Sequence, residues 1–552
     1  MPLRFPSPAP DAYAYPLLIR HLLRSAVDTR SGNEIVGSDG RRRDYADLEH
    51  RIGRLAAVLA DHGVGEGDVV AVMDWDSHRY LEAYFAIPMM GAVLQTVNVR
   101  LSRDQVAFTL RDTRPAAVIV HTDFADEFAH WRRALPVHCV VIACSDDAMA
   151  VLPGSAGDYE ILLSAEDAGF AFADFDENAV ATTFHTTGTT GAPKAVAFTH
   201  RQLVLHTLAV GLAMGQQPVE QGLWRDSVYM PVTPMFHVHA WGLPYLATLL
   251  GLKQVYPGRY IPARLLALKR EEGVTYSHCV PTVLQMMLDQ AGPGERLGPW
   301  TIIIGGSALP EALLLEAAAH GITVVAGYGM SETAPVLTLS RHETEDSRAP
   351  ETTRRWAGRA IPLVQIRLDG EDGRPAPADG VAQGEVVVRA PWLTQTYANN
   401  PEAGAALWAG GWLHTQDVAS QEPQGDIVIR DRLKDVIKTG GEWVSSTEIE
   451  NLALGDPAIA EAAVVGAPDA RWGERPVLFA VARPGHSPDL EALKARMAPM
   501  AAEGRISRWA IPDRLIVIEA LPLTSVGKID KKALRLRLGQ DVLDSGAPHA
   551  LA

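Results

Sequence analysis

This sequence predicts an α/β protein of doubly wound sheets divided into more than one domain, and three observations lead there. Short β-branched runs alternate with stretches of helical periodicity through most of the chain. That is the pattern of a sheet covered by helices rather than of an all-helical protein. Two apolar runs, Ile302-Ile303-Ile304 and Val324-Val325-Ala326, end directly in glycines, and ligands of open α/β sheets bind at the carboxyl ends of strands. The length, 552 residues, exceeds what one ordinary core spans, so two or more domains are expected.

Taken in order, the chain opens on a Pro-rich tail followed by an amphipathic piece around Leu17–Ala26. From Tyr45 to Asp61 the apolar Leu48, Ile52, Leu55, Ala56 and Leu59 recur at helical spacing. Val69–Met73 reads as a buried strand, and a further helix and apolar piece run through Leu101. Arg111–Val120 and Val137–Ala143 continue the alternation. Ala179–Phe184 and Ala195–Phe198 read as strands on either side of a small-residue loop, with a helix from Thr199. His278-Cys279-Val280-Pro281 closes another strand. Residues 340–380 are polar and rich in Pro and Gly, a shift towards small β structure, and Glu385–Arg389 alternates as a strand. The charged run Ile429–Trp443 marks a domain boundary, predicting domains of residues 1–432 and 433–552. Within it, Gly440-Gly441 between β-prone runs predicts a hairpin turn. Ser445 with Glu448 three residues on is a capping box that starts a helix. Residues 433–552 read as a small α/β domain.

The formal charge of −16 argues against a nucleic-acid or anionic-membrane partner, while leaving an anionic nucleotide open because binding is decided locally. Cys139, Cys144 and Cys279 form neither a disulfide framework nor a C-x-x-C pair, so a reducing compartment is expected. There is no signal peptide pattern and no apolar stretch long enough for a membrane span. Cytoplasm is the expected location.

The stretch Thr186-Thr187-Gly188-Thr189-Thr190-Gly191-Ala192-Pro193-Lys194 carries what a phosphate-binding loop needs. Glycines let backbone N–H groups approach, hydroxyls donate, and a lysine adds charge. It is not a P-loop, since no Gly precedes Lys194 and no Ser or Thr follows it. On composition alone it also reads as a surface turn. The H-x-H pair His237 and His239 has no spaced Cys or carboxylate partner, so core or pocket residues are the simpler reading than a metal site. Gly327-x-Gly329 is not a dinucleotide fingerprint, because Glu332 stands where the third Gly belongs. No G-x-S-x-G occurs, which disfavours a serine hydrolase.

As a unit, Thr186–Lys194 resembles the phosphate-binding signature of the adenylate-forming superfamily: acyl-CoA synthetases, luciferases and peptide-synthetase adenylation domains. The usual form ends Pro-Lys-Gly, and Ala195 replaces that Gly. Further motifs follow in the family's order. Pro231–Gly242 resembles the aromatic/His motif lining the acyl pocket, most like the medium-chain fatty acid–CoA ligase branch. Tyr328-Gly329-Met330-Ser331-Glu332 resembles Tyr-Gly-x-Thr-Glu, with Ser331 for Thr. Thr415-Gln416-Asp417 resembles Thr-Gly-Asp. Ile429–Trp443 resembles the hinge, and Pro522–Lys528 the catalytic-lysine loop.

The resemblance implies a large N-terminal domain of doubly wound sheets with a small β-barrel-like subdomain, and a small mobile α+β C-terminal domain. It implies ATP binding by Thr186, Thr187, Gly188, Thr189, Thr190, Lys194, Gly306, Tyr328, Gly329, Ser331, Asp417, Ile429, Arg432 and Lys528. It places Mg²⁺ on Glu332 and Thr189, the acyl substrate on Phe236, His237, Trp241 and Gly327, and CoA on Gly440, Gly441, Glu442 and Trp443. Lys434 takes the hinge position, and Lys528, Glu332 and His237 the catalytic ones. The implied activity is ligation of a carboxylic acid, a medium- to long-chain fatty acid by this branch, to CoA through an acyl-adenylate, with a homodimer as the family-weighted assembly. An adenylate-forming enzyme serving a carrier protein, or a non-catalytic nucleotide sensor, are the alternatives. Gln416 is the largest departure: if the family Gly needs a positive φ, Gln strains the turn by about 1–2 kcal/mol.

Overall fold

The computed structural model describes residues 3–544 except 30, 148, 150, 167–168, 187–192, 219–220, 293, 342–355, 372, 440–441, 470, 504–505 and 524–528. Among the described residues, two large sheets dominate. In the first, Tyr397–Ala398, Lys194–Thr199, Val180–Thr186, Val93–Thr96, Val69–Met73, Ala117–His121, Val140–Cys144 and Gly157–Asp158 lie side by side. From Val180–Thr186 through Val140–Cys144 its pairs are parallel, which explains the unbroken apolar runs at Val69–Met73 and Ala117–His121, since such strands are covered on both faces. In the second, Arg359–Ala360, Val336–Leu339, Ile322–Gly329, Trp300–Ile304, Tyr276–Cys279, Val228–Pro231, Lys253–Val255, Ile35–Val36 and Arg42–Arg43 follow one another.

Helices pack against the sheets. Tyr45–Asp61 is one helix, started by a capping box between Asp44 and Asp47, and it buries the predicted Leu48, Ile52, Leu55, Ala56 and Leu59. His78–Met89 is the helix expected after the strand Val69–Met73, and it is buried along its whole length. It shares one hydrophobic cluster with Leu94 and Phe184 of the first sheet and Ile303 and Val325 of the second. No helix among the described residues is long and apolar enough to cross a membrane.

In each sheet the strand order reverses about one strand, Val69–Met73 in the first and Val228–Pro231 in the second. Crevices outside such reversal points are where α/β sheets hold ligands. Here the two exits touch. The Met235 N–H donates to Asp76 Oδ1 at 2.6 Å, the Gly258 N–H donates to the Asp76 carbonyl at 2.8 Å, and Thr96 Oγ1 donates to the Phe236 carbonyl at 3.0 Å. The candidate ligand cleft therefore lies where both sheets end.

The expected barrel-like piece is a four-stranded antiparallel sheet of Gln365–Asp369, Gln383–Arg389, Leu413–Gln421 and Ile427–Arg432. The C-terminal part has its own sheet, Glu442–Val444, Ile437–Thr439, Gly473–Ala482 and Ile459–Asp469, with Arg514–Val517 beside Gly473–Ala482. Helices Ser446–Leu454, Leu490–Ala502 and Lys531–Asp544 accompany it. Ser445 Oγ accepts the Glu448 N–H at 3.1 Å, so the predicted helix start holds.

Asp76 titrates far from its usual range. Burial pushes its carboxyl up to about 7, against the Met235 N–H and the Arg100 charge, which pull it down. Between about pH 4 and about pH 7 the folded state then keeps a proton that the unfolded chain releases, so its contribution to stability falls as pH rises. Asp76→Asn removes this titration. The stability of the variant relative to the parent is expected to rise across that window, by at most about 1.4 kcal/mol per pH unit, and to level off above it. Denaturant midpoints at a series of pH values measure this.

Candidate active site

The floor of the cleft is made of glycines. Trp300–Ile304 runs into Gly305 and Gly306, the latter at φ +80°. A Cβ on Gly305 would meet the Gly327 carbonyl at 2.9 Å and the Trp241 ring at 3.3 Å. The strand Ile322–Gly329 does not leave the sheet at its glycines, as the sequence suggested. It continues through them and pairs antiparallel with Val336–Leu339. The absence of side chains permits this: a Cβ on Gly329 would lie 1.5 Å from the Pro335 carbonyl oxygen.

Two carboxylates stand on this floor. Tyr328 donates its hydroxyl to Asp417 Oδ2 at 2.8 Å, and Arg432 Nε lies 2.7 Å from Asp417 Oδ1. Asp417 and Arg432 are direct partners across neighbouring strands, so the pair follows from register. Burial, with the Asp417 charge beside it, pushes the Tyr328 phenol well up. Glu332, in the short helical turn Ser331–Thr333, is 6% exposed. It accepts the Tyr397 hydroxyl on Oε1 at 2.6 Å. Burial pushes its carboxyl up, while the Tyr397 hydrogen bond and the charges of Arg432 and Lys194 pull it down. Lys194 Nζ lies 4.7 Å from the centre of the Tyr397 ring. The structure thus gathers Lys194, Tyr328, Glu332, Asp417 and Arg432 in one place, with Ile429 on the strand that carries Arg432.

Thr186 and Lys194 face each other across adjacent strands, so the intervening loop springs from this cluster. Thr187, Gly188, Thr189 and Thr190 of that loop lie outside the described residues, as do Gly440, Gly441 and Lys528. Among the described residues no group of three or more His, Cys, Asp or Glu is placed to hold a metal. A single hard carboxylate such as Glu332 suits Mg²⁺, which keeps waters and shares substrate phosphates rather than filling an all-protein cage.

Gln416 does sit at a positive φ, 62°. It occupies an irregularity in the pairing of Leu413–Gln421 with Gln383–Arg389. Its N–H donates to Glu385 Oε1 at 3.0 Å, and its carbonyl accepts the Leu433 N–H at 2.8 Å. These two bonds offset a backbone strain of about 1–2 kcal/mol.

Val238, His239, Ala240 and Trp241 form a left-handed turn, at φ 48°, 54°, 48° and 59°. Local sequence cannot announce this, since β-branched and bulky residues are the least suited to that region. The turn splits its side chains. His237 is exposed. His239 is fully buried among Tyr84, Phe184, Phe198 and Tyr245, and burial pushes its imidazole down to about 3. Trp241 is 6% exposed, with its ring centre 5.2 Å from that of His278. Phe236 is buried, with the Arg100 guanidinium 5.8 Å from its ring centre.

Past Arg432, burial pushes the Lys434 amine down, and the Lys434 carbonyl accepts from Arg535 at 3.0 Å. The strands Ile437–Thr439 and Glu442–Val444 pair as expected for a hairpin. Trp443 Nε1 donates to Glu371, and Lys438 Nζ lies 3.2 Å from the same carboxylate. Ser507 Oγ donates to Glu442 at 2.6 Å.

Gln416→Gly relieves the positive φ but frees the unfolded chain, so a net gain of up to about 1 kcal/mol is expected. Thermal or denaturant unfolding of the two proteins reads it, and a destabilised variant would mean that the Gln416 side chain contributes more than its backbone strain takes away.

Residues 23–398 match the family described as AMP-binding enzyme, and residues 448–528 match the AMP-binding enzyme C-terminal domain. A long-chain-fatty-acid–CoA ligase of Thermus thermophilus is 40% identical over 507 residues, 90% of each chain. A medium-chain-fatty-acid–CoA ligase of Ectopseudomonas oleovorans is 34% identical, over 96% of this chain and 95% of that one. The solved structure of the anthranilate CoA ligase AuaEII with anthranoyl-AMP superposes with a TM-score of 0.81 at 22% identity, over 96% of this chain and 99% of that one, a likeness of fold. Family, relatives and fold agree with the cleft, and the chain belongs to the AMP-binding enzyme family as an acyl-CoA synthetase of the adenylate-forming superfamily.

Proposed function

We propose that the carboxylic acid this synthetase activates is a medium- to long-chain fatty acid. The observation that carries the reading is the apolar wall that the Trp241 indole makes against Gly305, with Phe236 buried on the same segment, beside the strand that leads to Glu332. An aliphatic tail against that wall would leave its head group among the polar residues. The long- and medium-chain ligases among the relatives support the choice.

The chemistry follows from the groups at hand. A carboxylate is a poor electrophile because its leaving group would be an oxide. Attack on the α-phosphorus of ATP, with departure of pyrophosphate, gives an acyl-adenylate whose leaving group is AMP, and the CoA thiol then displaces AMP. The nucleophile is already ionised near neutral pH, so the first step needs no general base. Asp417 would accept hydrogen bonds from the vicinal ribose hydroxyls, a role supported by Arg432 and Tyr328 holding its two oxygens. Tyr328 would lie against adenine, near Gly306, Gly329, Ser331 and Ile429. Thr186–Thr190 and Lys194 would take the β- and γ-phosphates. Glu332, with Thr189, would hold Mg²⁺, which when bound screens the charge between two approaching anions. Lys528 would supply a further cation to that step. His237 would border the head group, and Gly440–Trp443 the pantetheine arm. We place the domain boundary at 432/433 with Lys434 as hinge. The three buried, unpaired cysteines are compatible with a reducing, cytoplasmic setting.

A panel of acids with ATP and CoA, read by AMP release, tests the substrate. Each methylene that finds the apolar wall is worth about 0.8 kcal/mol, so kcat/KM should climb about fourfold per carbon until the pocket ends. A profile that peaks at acetate, or at an aryl acid, refutes the fatty-acid reading. For Lys528→Ala, adenylation measured by pyrophosphate exchange should collapse, while thioester formation from supplied acyl-adenylate stays largely intact. Equal loss of both half-reactions would remove Lys528 from the first step.

A further inference from the structure

Tyr397 lies outside every motif of the sequence, yet the structure ties it to two parts of the site at once. It opens the two-residue strand Tyr397–Ala398, which pairs antiparallel with Val196 and Ala195 on the strand that begins at Lys194. Its hydroxyl donates to Glu332 Oε1 at 2.6 Å, and its ring carries the Lys194 ammonium at 4.7 Å. The segment before it is fastened to the same two places. The Thr394 N–H donates to the Glu332 carbonyl at 3.0 Å, and Thr394 Oγ1 donates to the Ala197 carbonyl at 3.1 Å. Glu332 belongs to the second large sheet's hairpin, whereas Lys194 belongs to the first sheet. Residues 394–397 therefore bridge them.

We infer that Tyr397 is a positioning residue, which pins one oxygen of Glu332 so that the other, Oε2, is presented to the cation that accompanies ATP. The inference rests on the reading of Glu332 given above. A carboxylate free to rotate presents either oxygen in many directions, and one held by a phenol presents a single geometry. Partners of this kind behind a metal-binding carboxylate typically contribute about 10–100-fold to metal affinity. Because the same phenol belongs to the strand pairing with Val196, the carboxylate is also set at a fixed place relative to the base of the Thr186–Lys194 loop.

The test is equilibrium ATP binding at graded Mg²⁺, followed by intrinsic tryptophan fluorescence, for the full-length parent, Tyr397→Phe, Glu332→Gln and the double variant. Phenylalanine keeps the ring under Lys194 and removes only the hydroxyl. The Mg²⁺ concentration for half-maximal ATP binding should rise about tenfold in Tyr397→Phe, with binding in EDTA, the melting temperature and the KM for the acid near the parent's. In the double variant, Tyr397→Phe should add nothing to the shift of Glu332→Gln, since the hydroxyl acts through that carboxylate. An unchanged Mg²⁺ requirement in Tyr397→Phe overturns the inference. So does a variant that loses Mg²⁺-independent ATP binding or stability as well, which would make Tyr397 a packing residue, and so do additive shifts. If instead Glu332→Gln leaves the Mg²⁺ requirement unaltered, the assignment of Glu332 itself has failed, and the two failures are told apart.

Discussion

Glu332 and Asp417 are carboxyl groups withdrawn from water, and the surroundings of the cleft follow from what that withdrawal demands. A buried carboxylate is tolerated when hydrogen bonds and opposite charge replace its hydration. Each of the two has a phenol on one oxygen, Tyr397 for Glu332 and Tyr328 for Asp417. Arg432 lies against Asp417 and also bears on Glu332, where Lys194 joins it. The partners come from distant stretches of chain, so the site exists only once both large sheets and the four-stranded sheet have assembled. On the proposed reading, ATP would bring its phosphates and ribose hydroxyls to groups that are already oriented, which is the preorganisation that electrostatic catalysis needs.

The backbone features of the cleft belong to the same demand. Gly329 lets the Ile322–Gly329 hairpin close over Pro335, and that closure sets Glu332 just beyond the strand end. Asp76 and the Met235 N–H join the reversal points of the two sheets, which brings Pro231–Gly242 against the floor. Gln416 accepts a strained φ while its carbonyl holds the Leu433 N–H. The Asp417 carboxylate is thereby tied to the chain entering the C-terminal part.

Much of this was legible in the residues alone, and the limits have physical causes. The helix Tyr45–Asp61 and the strand Val69–Met73 are read from local periodicity, because their burial follows a simple repeat. The positive φ at Gln416 was inferred from a glycine expected at that place. Tyr397 was not legible, since its partners Glu332 and Lys194 lie far away in sequence and no local pattern marks a tyrosine beside a distant carboxylate. The left-handed turn at Val238–Trp241 contradicts local preference and is imposed by packing around His239 and Trp241. The continuation of Ile322–Gly329 through its glycines depends on Val336–Leu339 folding back, a tertiary event that overrides the usual reading of glycine as a strand end. Residues 187–192 and Lys528 lie outside the described residues, and their proposed roles rest on motif.

The meeting of Trp241 and Gly305 carries one more implication. A methyl group on Gly305 would already press on the Gly327 carbonyl and on the indole. The gap between them is bounded on one side by bare main chain, which has nothing left to trim. Mutation at Gly305 can therefore fill the space beside the indole but never enlarge it, and if the proposed acyl wall is right, room for a bulkier acid would come from shortening the tryptophan.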